Sequence, residues 1–206
     1  MIERLEQVAG RPVSRETFRK LEAYGMLLRV ESARQNLVAA STFDQFWDRH
    51  ILDSAQLYRW VPGYAGNLID LGSGAGLPGL VLAILGVTGV ELIEADSRKA
   101  AFLREAARIA EADVTIRACR VEAVPPHPAD VVTARACAPL DRLLGLAERF
   151  LALDTICLFP KGERFADELT AARKAWTMNV SVEPSLSDRR GVILRLQQVA
   201  REPGQA

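Results

Sequence analysis

Asp70-Leu71-Gly72-Ser73-Gly74-Ala75-Gly76-Leu77-Pro78-Gly79 is the stretch on which the reading of this 206-residue chain turns. It follows a short apolar run, Asn67-Leu68-Ile69-Asp70-Leu71, that reads as a strand. Residues 77–86 after it read as a helix, with Pro78 in the first turn, where a missing N–H costs nothing. Glycine has no Cβ, so the chain can turn sharply off the strand and let a ligand approach its backbone. Several glycines between a strand and a helix therefore predict a ligand loop at the carboxyl end of a strand. One glycine would predict only a tight turn.

Outward from the turn, strands and helices alternate. Val90-Glu91-Leu92-Ile93 reads as a second strand and residues 97–111 as a helix, with Ala100, Leu103, Ala107 and Ala110 on one face. Val114-Thr115-Ile116 and Asp130-Val131-Val132-Thr133 read as the third and fourth strands, and 140–151 as a helix. Thr155-Ile156-Cys157-Leu158-Phe159 reads as the fifth, followed by a helix over 165–176. Val180-Ser181-Val182 and Val192-Ile193-Leu194-Arg195-Leu196 close the series with no helix between them. Alternation of this kind requires a parallel sheet covered on both faces. Two final strands joined by a loop predict one antiparallel member at the end. The expected fold is α/β, a doubly wound, mostly parallel seven-stranded sheet.

The first sixty residues read as helical. Residues 2–9 form a short amphipathic piece ended by Gly10-Arg11-Pro12, and Ser14 is a good N-cap for a helix carrying Phe18, Leu21 and Leu28. Thr42 and Gln45 have capping-box spacing, predicting a helix to about Trp60 that Pro62-Gly63 stops. The chain thus divides into an N-terminal helical extension over 1–62, a core over 63–200 and a frayed tail over 201–206.

Bulk properties narrow the function. Hydrophobic residues make up 49% and charged residues 25%, ordinary globular usage that excludes disordered and fibrous classes. No run approaches the roughly 18 apolar residues of a membrane span, and the charged start Met1-Ile2-Glu3-Arg4 lacks a signal-peptide core. A cytoplasmic protein without a membrane partner is expected, acting as a monomer. Cys119, Cys137 and Cys157 are widely spaced, and His50 and His127 are the only histidines. That inventory predicts buried thiols and no metal site. Lys plus Arg and Asp plus Glu both number 26, so any nucleic-acid partner must meet a local basic face.

Two nucleotide-type readings compete for the turn. Gly74-Ala75-Gly76-Leu77-Pro78-Gly79 fits the dinucleotide pattern Gly-x-Gly-x-x-Gly. Gly72-x-Gly74-x-Gly76 preceded by Asp70 fits an S-adenosylmethionine turn, in which Asp70 faces the cationic amino-acid end of the cofactor. Glu94, 22 residues after Gly72 at the end of the second strand, can accept hydrogen bonds from a ribose diol in either case. A dehydrogenase would need a substrate domain for which little chain remains. That, with the two-strand ending, favours the methyltransferase.

Several short segments together carry a resemblance. Asn36-Leu37, Arg49-His50-Ile51-Leu52-Asp53-Ser54, Asp70 to Gly79, Arg120-Val121-Glu122, Arg135-Ala136 and Lys161-Gly162 are similar to those of the bacterial 16S ribosomal RNA guanine-N7 methyltransferases, the glucose-inhibited division protein B family. The resemblance covers about residues 30–200. It implies a Rossmann-like methyltransferase sheet, S-adenosyl-L-methionine as cofactor, and 16S ribosomal RNA or the small ribosomal subunit as partner. By matching position it places Asp70, Gly72, Gly74, Gly76, Leu77, Glu94, Val121, Glu122 and Arg135 at the cofactor, and Arg135, His50 and Lys161 at the reacting centre. Glu94 stands where the family usually has Asp. Arg98-Lys99 inverts the usual Lys-Arg order, and Arg189-Arg190 stands where the family has Arg-His.

Guanine N7 carries an in-plane lone pair and no proton, so its methylation needs no general base. Holding the two reactants in line can supply about 7–11 kcal/mol. Arg49, His50, Arg135, Lys161, Arg189 and Arg190 are expected to gather at the cofactor mouth and grip RNA. Plainer readings stand beside these: His50 as a packing histidine, Arg49 and Asp53 as an i,i+4 helix pair, Lys161 as a solvated side chain. The rival functions are transfer to a protein or small molecule and a noncatalytic RNA-binding assembly factor.

Overall fold

The computed structural model describes residues 1–202. Seven strands form one sheet in the order β3-β2-β1-β4-β5-β7-β6. They are β1 (Leu68–Leu71), β2 (Val90–Ile93), β3 (Val114–Arg117), β4 (Val131–Thr133), β5 (Ile156–Lys161), β6 (Trp176–Pro184) and β7 (Val192–Arg201). β1 to β5 pair in parallel, and β7 runs antiparallel to both β5 and β6. The single reversed strand thus lies between β5 and β6, while the edge strand β6 points the same way as the parallel five.

The short central strands are apolar on both faces because helices cover both. On one side Leu68, Leu92, Val131 and Ile193 pack under α2 (Arg15–Gln35), α4 (Gly79–Ile84) and α5 (Ser97–Ile109). On the other, Ile69, Leu71, Val132, Phe159 and Leu196 pack under α6 (Leu140–Ala147) and α7 (Phe165–Ala172). Burying one such Leu, Ile or Phe contributes about 1.5–3 kcal/mol, so the sheet is held mainly from its two faces. α1 (Ile2–Ala9) and α2 join the first cluster through Leu5, Leu21, Tyr24 and Leu28, each fully buried. Ser14 caps α2 as expected, its Oγ accepting from the Thr17 amide at 3.0 Å.

Several boundaries depart from the sequence reading. The continuous helix expected over 42–60 is a 3-10 turn (Ala40–Gln45), a π-helical turn (Trp47–Leu52), the single turn α3 (Asp53–Ala55) and a second 3-10 turn (Gln56–Trp60). Thr42 does not cap it; its hydroxyl donates to the Ala39 carbonyl at 2.6 Å. α4 is shorter than 77–86 and starts after Pro78. The helix expected over 140–151 gives way to a 3-10 turn at Glu148, and the one expected over 165–176 ends at Ala172. Trp176 starts β6, its indole N–H donating to Asp141 and its ring lying under Arg201. Arg201, read as tail, ends β7 and pairs with Glu148 at 2.9 Å; residues 203–206 of that tail lie outside the described residues. Of the three cysteines read as buried, only Cys157 is, its thiol pushed up to about 12 by burial; Cys119 is half-buried and Cys137 exposed.

Candidate functional site

The glycine turn leaves β1 at the carboxyl edge of the sheet, with Gly72, Gly74 and Gly76 all at positive φ, between 55° and 88°. Each side chain they lack is missing for a different reason. A Cβ on Gly76 would strike Leu80 at 2.9 Å, and one on Gly79 would strike Leu92 and Asp70 at 2.5 and 2.7 Å, so those two allow α4 to lie close on the sheet. A Cβ on Gly74 would meet only the Gly72 carbonyl, at 3.8 Å. Gly74 therefore presents bare backbone to open space, the condition for close approach of a ligand. The Gly72 face is closed by Cys137, whose sulfur would lie 2.7 Å from a Cβ there. Leu77 is buried beneath the turn.

Two acids flank this backbone. Glu94 follows β2 and is nearly buried; its Oε2 accepts from the Gly74 amide and its Oε1 from the Asp96 amide, both at 2.8 Å. Each oxygen keeps a lone-pair direction for a further donor. Asp70, in β1, has no solvent exposure. Its Oδ1 accepts from the hydroxyl of Thr133, its register partner on β4, at 2.7 Å, whereas Oδ2 is buried without a hydrogen-bond partner. Burial pushes the Asp70 carboxyl up to about 6, against the opposing hydrogen bonds and the Arg135 charge. An orphaned carboxylate oxygen beside an open glycine turn suits a cationic ligand group. Val121 is buried in a short 3-10 turn after β3, and Glu122 beside it is exposed, its carbonyl held by Arg149 at 2.7 Å.

A cleft of about 770 Å³ opens next to this half-site, its walls including Arg49, His50, Asp53, Arg135, Cys137 and Lys161. Cys137 is shared: it lines the cleft and touches the Gly72 face. Although the residue is exposed overall, partial burial of its thiol, then the charges of Asp70 and Glu94, hold it above the usual range. Arg135 follows β4 and reaches back to the extension. Its Nη1 donates to the Arg49 carbonyl at 2.9 Å and to Asp53 Oδ2 at 3.2 Å. Its Nη2 lies 3.3 Å from His50 Nδ1. A guanidinium only donates, so Nδ1 accepts and the ring proton sits on Nε2, 2.7 Å from Thr42 Oγ1. Burial, then the charges of Arg135 and Arg49, lower the His50 pKa to about 4. Both ring nitrogens of this neutral imidazole are engaged, and the Phe46 ring packs edge-on at 5.4 Å. Lys161, at the end of β5, donates to Glu168 at 2.7 Å and to the Ala138 carbonyl at 3.0 Å.

Of the six residues expected to gather, the structure brings Arg49, His50, Arg135 and Lys161 together; Arg189 and Arg190 do not line the cleft, and Arg190 pairs with Glu163 at 3.1 Å. Arg49 and Asp53 are not a helix pair. Arg49 bonds Asp188 at 2.5 Å, while Asp53 takes Arg135 and the Ser187 hydroxyl. Sequence reasoning missed Thr133, Thr42, Asp188 and Tyr24. The last is fully buried on α2, and its hydroxyl donates to the Ala75 carbonyl inside the glycine turn at 2.7 Å. A lone Tyr at a core spacing gives no signal for that contact. Among the described residues no cluster of His, Cys, Asp and Glu could hold a metal, and no helix is long and apolar enough to cross a membrane.

Comparisons with known proteins point one way. The family model described as rRNA small subunit methyltransferase G matches residues 17–192. Ribosomal RNA small subunit methyltransferase G of Rhodospirillum centenum is 57% identical over 188 residues, covering 91% of this chain and 87% of that protein. Its Rhodospirillum rubrum counterpart is 53% identical over 190 residues, covering 92% and 94%. Among solved structures, ribosomal protein L11 methylase from Lactobacillus delbrueckii superposes with a TM-score of 0.60 at 14% identity, over 75% of this chain and 79% of that one. MtNAS in complex with S-adenosylmethionine gives 0.60 at 16%, over 84% and 73%. These two likenesses establish the methyltransferase sheet and nothing finer.

Proposed function

Because the chain belongs to the rRNA small subunit methyltransferase G family, we propose that it transfers a methyl group to N7 of a guanosine in 16S ribosomal RNA. It is an S-adenosylmethionine-dependent methyltransferase. The observation that carries the reading is the meeting of two half-sites at one sheet edge: an open glycine turn flanked by Asp70 and Glu94, and a cation-lined cleft joined to it at Cys137.

The residues present fit the cofactor. Its contribution when bound is an electrophilic methyl on a sulfonium. Asp70 Oδ2, buried and unpartnered, would balance positive charge at the amino-acid end. Glu94, fixed by two backbone amides, would accept from the ribose diol. Gly74 keeps the backbone clear for it, Gly72 and Gly76 hold the turn's positive-φ shape with Leu77 beneath, and Val121 and Glu122 would lie beside the adenine.

On the acceptor side, N7 has no proton to lose, so the cleft needs no base. His50 suits that requirement: it is neutral, both nitrogens are engaged, and its work is to hold Arg135. Arg135, braced by Asp53, the Arg49 carbonyl and His50, sits next to the glycine-turn half-site and would orient the guanosine or its phosphate. Lys161 would stiffen the opposite wall through Glu168. The protein is further read as a cytoplasmic monomer acting on RNA or the small subunit.

The test offers labelled S-adenosylmethionine with deproteinised RNA, small subunits and total protein, and identifies the modified base by mass spectrometry. Label on guanine N7 of 16S RNA is expected, with transfer slowed about a hundredfold in a folded Arg135→Ala variant, the cost of losing a positioning group. Label on protein, on a small molecule or on another atom would overturn the substrate and leave the cofactor standing.

A further inference from the structure

Three of the four arginines and lysines in the cleft walls are neutralised from within. Arg49, Arg135 and Lys161 each hold a carboxylate, from Asp188, Asp53 and Glu168, at 2.5, 3.2 and 2.7 Å. Beside the exposed Arg164, RNA phosphate entering this cleft meets three cations already taken, so to be gripped by any of those three it must displace a carboxylate.

The three pairs are not equally able to open. The Lys161 side chain is 9% exposed and has a second acceptor in the Ala138 carbonyl. That of Arg135 is 18% exposed and is fixed by Asp53, the Arg49 carbonyl and His50. Arg49 is 38% exposed, Asp188 is its one ion-pair partner among the described residues, and the two meet through a single nitrogen and a single oxygen. Its carbonyl is pinned by Arg135, so the main chain at Arg49 stays in place whatever its guanidinium binds. Asp188 lies in the link between β6 and β7, and its other oxygen accepts from the Arg190 amide at 3.0 Å, a bond that remains if Arg49 is given up.

We propose that Asp188 stands in for RNA phosphate on Arg49: its carboxylate occupies the guanidinium in the free protein and is displaced by a phosphodiester of the substrate, which makes Asp188 a residue that sets how strongly the cleft grips RNA. The inference rests on the reading of the cleft as an RNA site. A guanidinium that bonds carboxylate through one nitrogen can bond phosphate through two, and an ion pair this open to water is weak, so the exchange favours phosphate when RNA is present. With RNA absent, Asp188 keeps the arginine from attracting stray polyanions. The Arg190 amide first, and then Arg49, hold the Asp188 carboxyl below its usual range, so the competitor is charged at neutral pH.

The experiment measures RNA affinity by fluorescence anisotropy across a salt series, using a small-subunit RNA transcript and an unrelated single-stranded RNA. The proteins are wild type, Asp188→Asn, Asp188→Ser, Arg49→Ala and the double variant Arg49→Ala with Asp188→Asn, each checked by its melting curve. Asp188→Asn keeps the acceptor for the Arg190 amide and removes the charge. It should bind both RNAs about two- to fivefold more tightly than wild type, Asp188→Ser should do the same, and the gain should vanish without Arg49. If wild-type binding leaves Arg49 paired part of the time, the slope of log affinity against log salt steepens, by up to about 0.7 for one full phosphate contact. Equal or weaker binding by both Asp188 variants, or a gain that survives loss of Arg49, overturns the proposal while leaving the RNA reading intact. Absence of RNA binding by the wild type overturns both.

Discussion

Replacing Asp70 by Asn removes one charge from a fully buried site and nearly preserves its shape. Burial holds the folded carboxyl at about 6, against an ordinary 3.8. At about 1.4 kcal/mol per pH unit, that gap is about 3 kcal/mol. The sign follows from the folded group having the higher pKa: the folded chain holds its proton longer than the unfolded one. Stability from this group is fully present below about pH 3.8 and is lost as pH rises through about 6. Wild type at neutral pH therefore carries a charge that weakens its fold, while Asn, which can still accept from Thr133, does not. Asp70→Asn should raise unfolding stability by about 1–3 kcal/mol at pH 7.5, and by about half as much at pH 5. Urea unfolding of the ligand-free proteins at both pH values measures this. Calorimetry should show the opposite for function, with S-adenosylmethionine bound at least about tenfold more weakly because the proposed partner of its positive charge would be gone. Wild-type affinity should fall below pH 6, and the variant's should stay flat. An Asn variant less stable than wild type by the same amount at both pH values would refute the reasoning, since the carboxylate would then be no burden.

Glu94→Gln leaves one carboxamide oxygen where two carboxylate oxygens accept backbone amides, and sets an N–H against the other amide; hydrogen bonds to a charged group contribute about 1.5–3 kcal/mol, so calorimetry should show cofactor affinity reduced by about tenfold or more. Tyr24→Phe deletes the bond to the Ala75 carbonyl and leaves a buried acceptor unpaired, at about 1–3 kcal/mol. It should lower Tm by several degrees, and steady-state kinetics should show KM for S-adenosylmethionine rising more than kcat falls.

The parts legible from sequence were those fixed by near neighbours. The glycine turn, the apolar strands β1 to β5 and the Ser14 cap all depend on residues within a few positions of one another, and each is present where expected. The stretch 42–60 reads as one helix from its own residues, but distant residues shape it. The Arg49 carbonyl, which a regular helix would spend on its own backbone, accepts from Arg135, 86 positions later. Thr42 has capping-box spacing, but its hydroxyl serves His50 and Ala39. Arg49 and Asp53 have helix-pair spacing, yet Asp188 and Arg135 offer each a partner from across the site. Trp176 continues the apolar pattern of α7 and was read into it, although its contacts to Asp141 and Arg201 belong to a strand. At the candidate site the backbone turn and its acids were readable, whereas the wiring among the cleft side chains was not.

The place of β7 in the sheet has a consequence for how the protein is made. It emerges from the ribosome after β6, yet it is the strand to which both β5 and β6 are bonded. Until about residue 201 is available, β5 exposes an open flank and β6 has no neighbour to hold it. The first five strands can assemble co-translationally, each finding an earlier one in place, but the last third of the sheet closes by insertion, late and across a gap. Such an intermediate carries unpaired strand edges of the kind that recruit other chains. Shortening β7 from its far end would free β6 from its own start, Trp176 and Thr177 losing Arg201 and Ala200 first, while removing β7 whole would leave β6 with no neighbour.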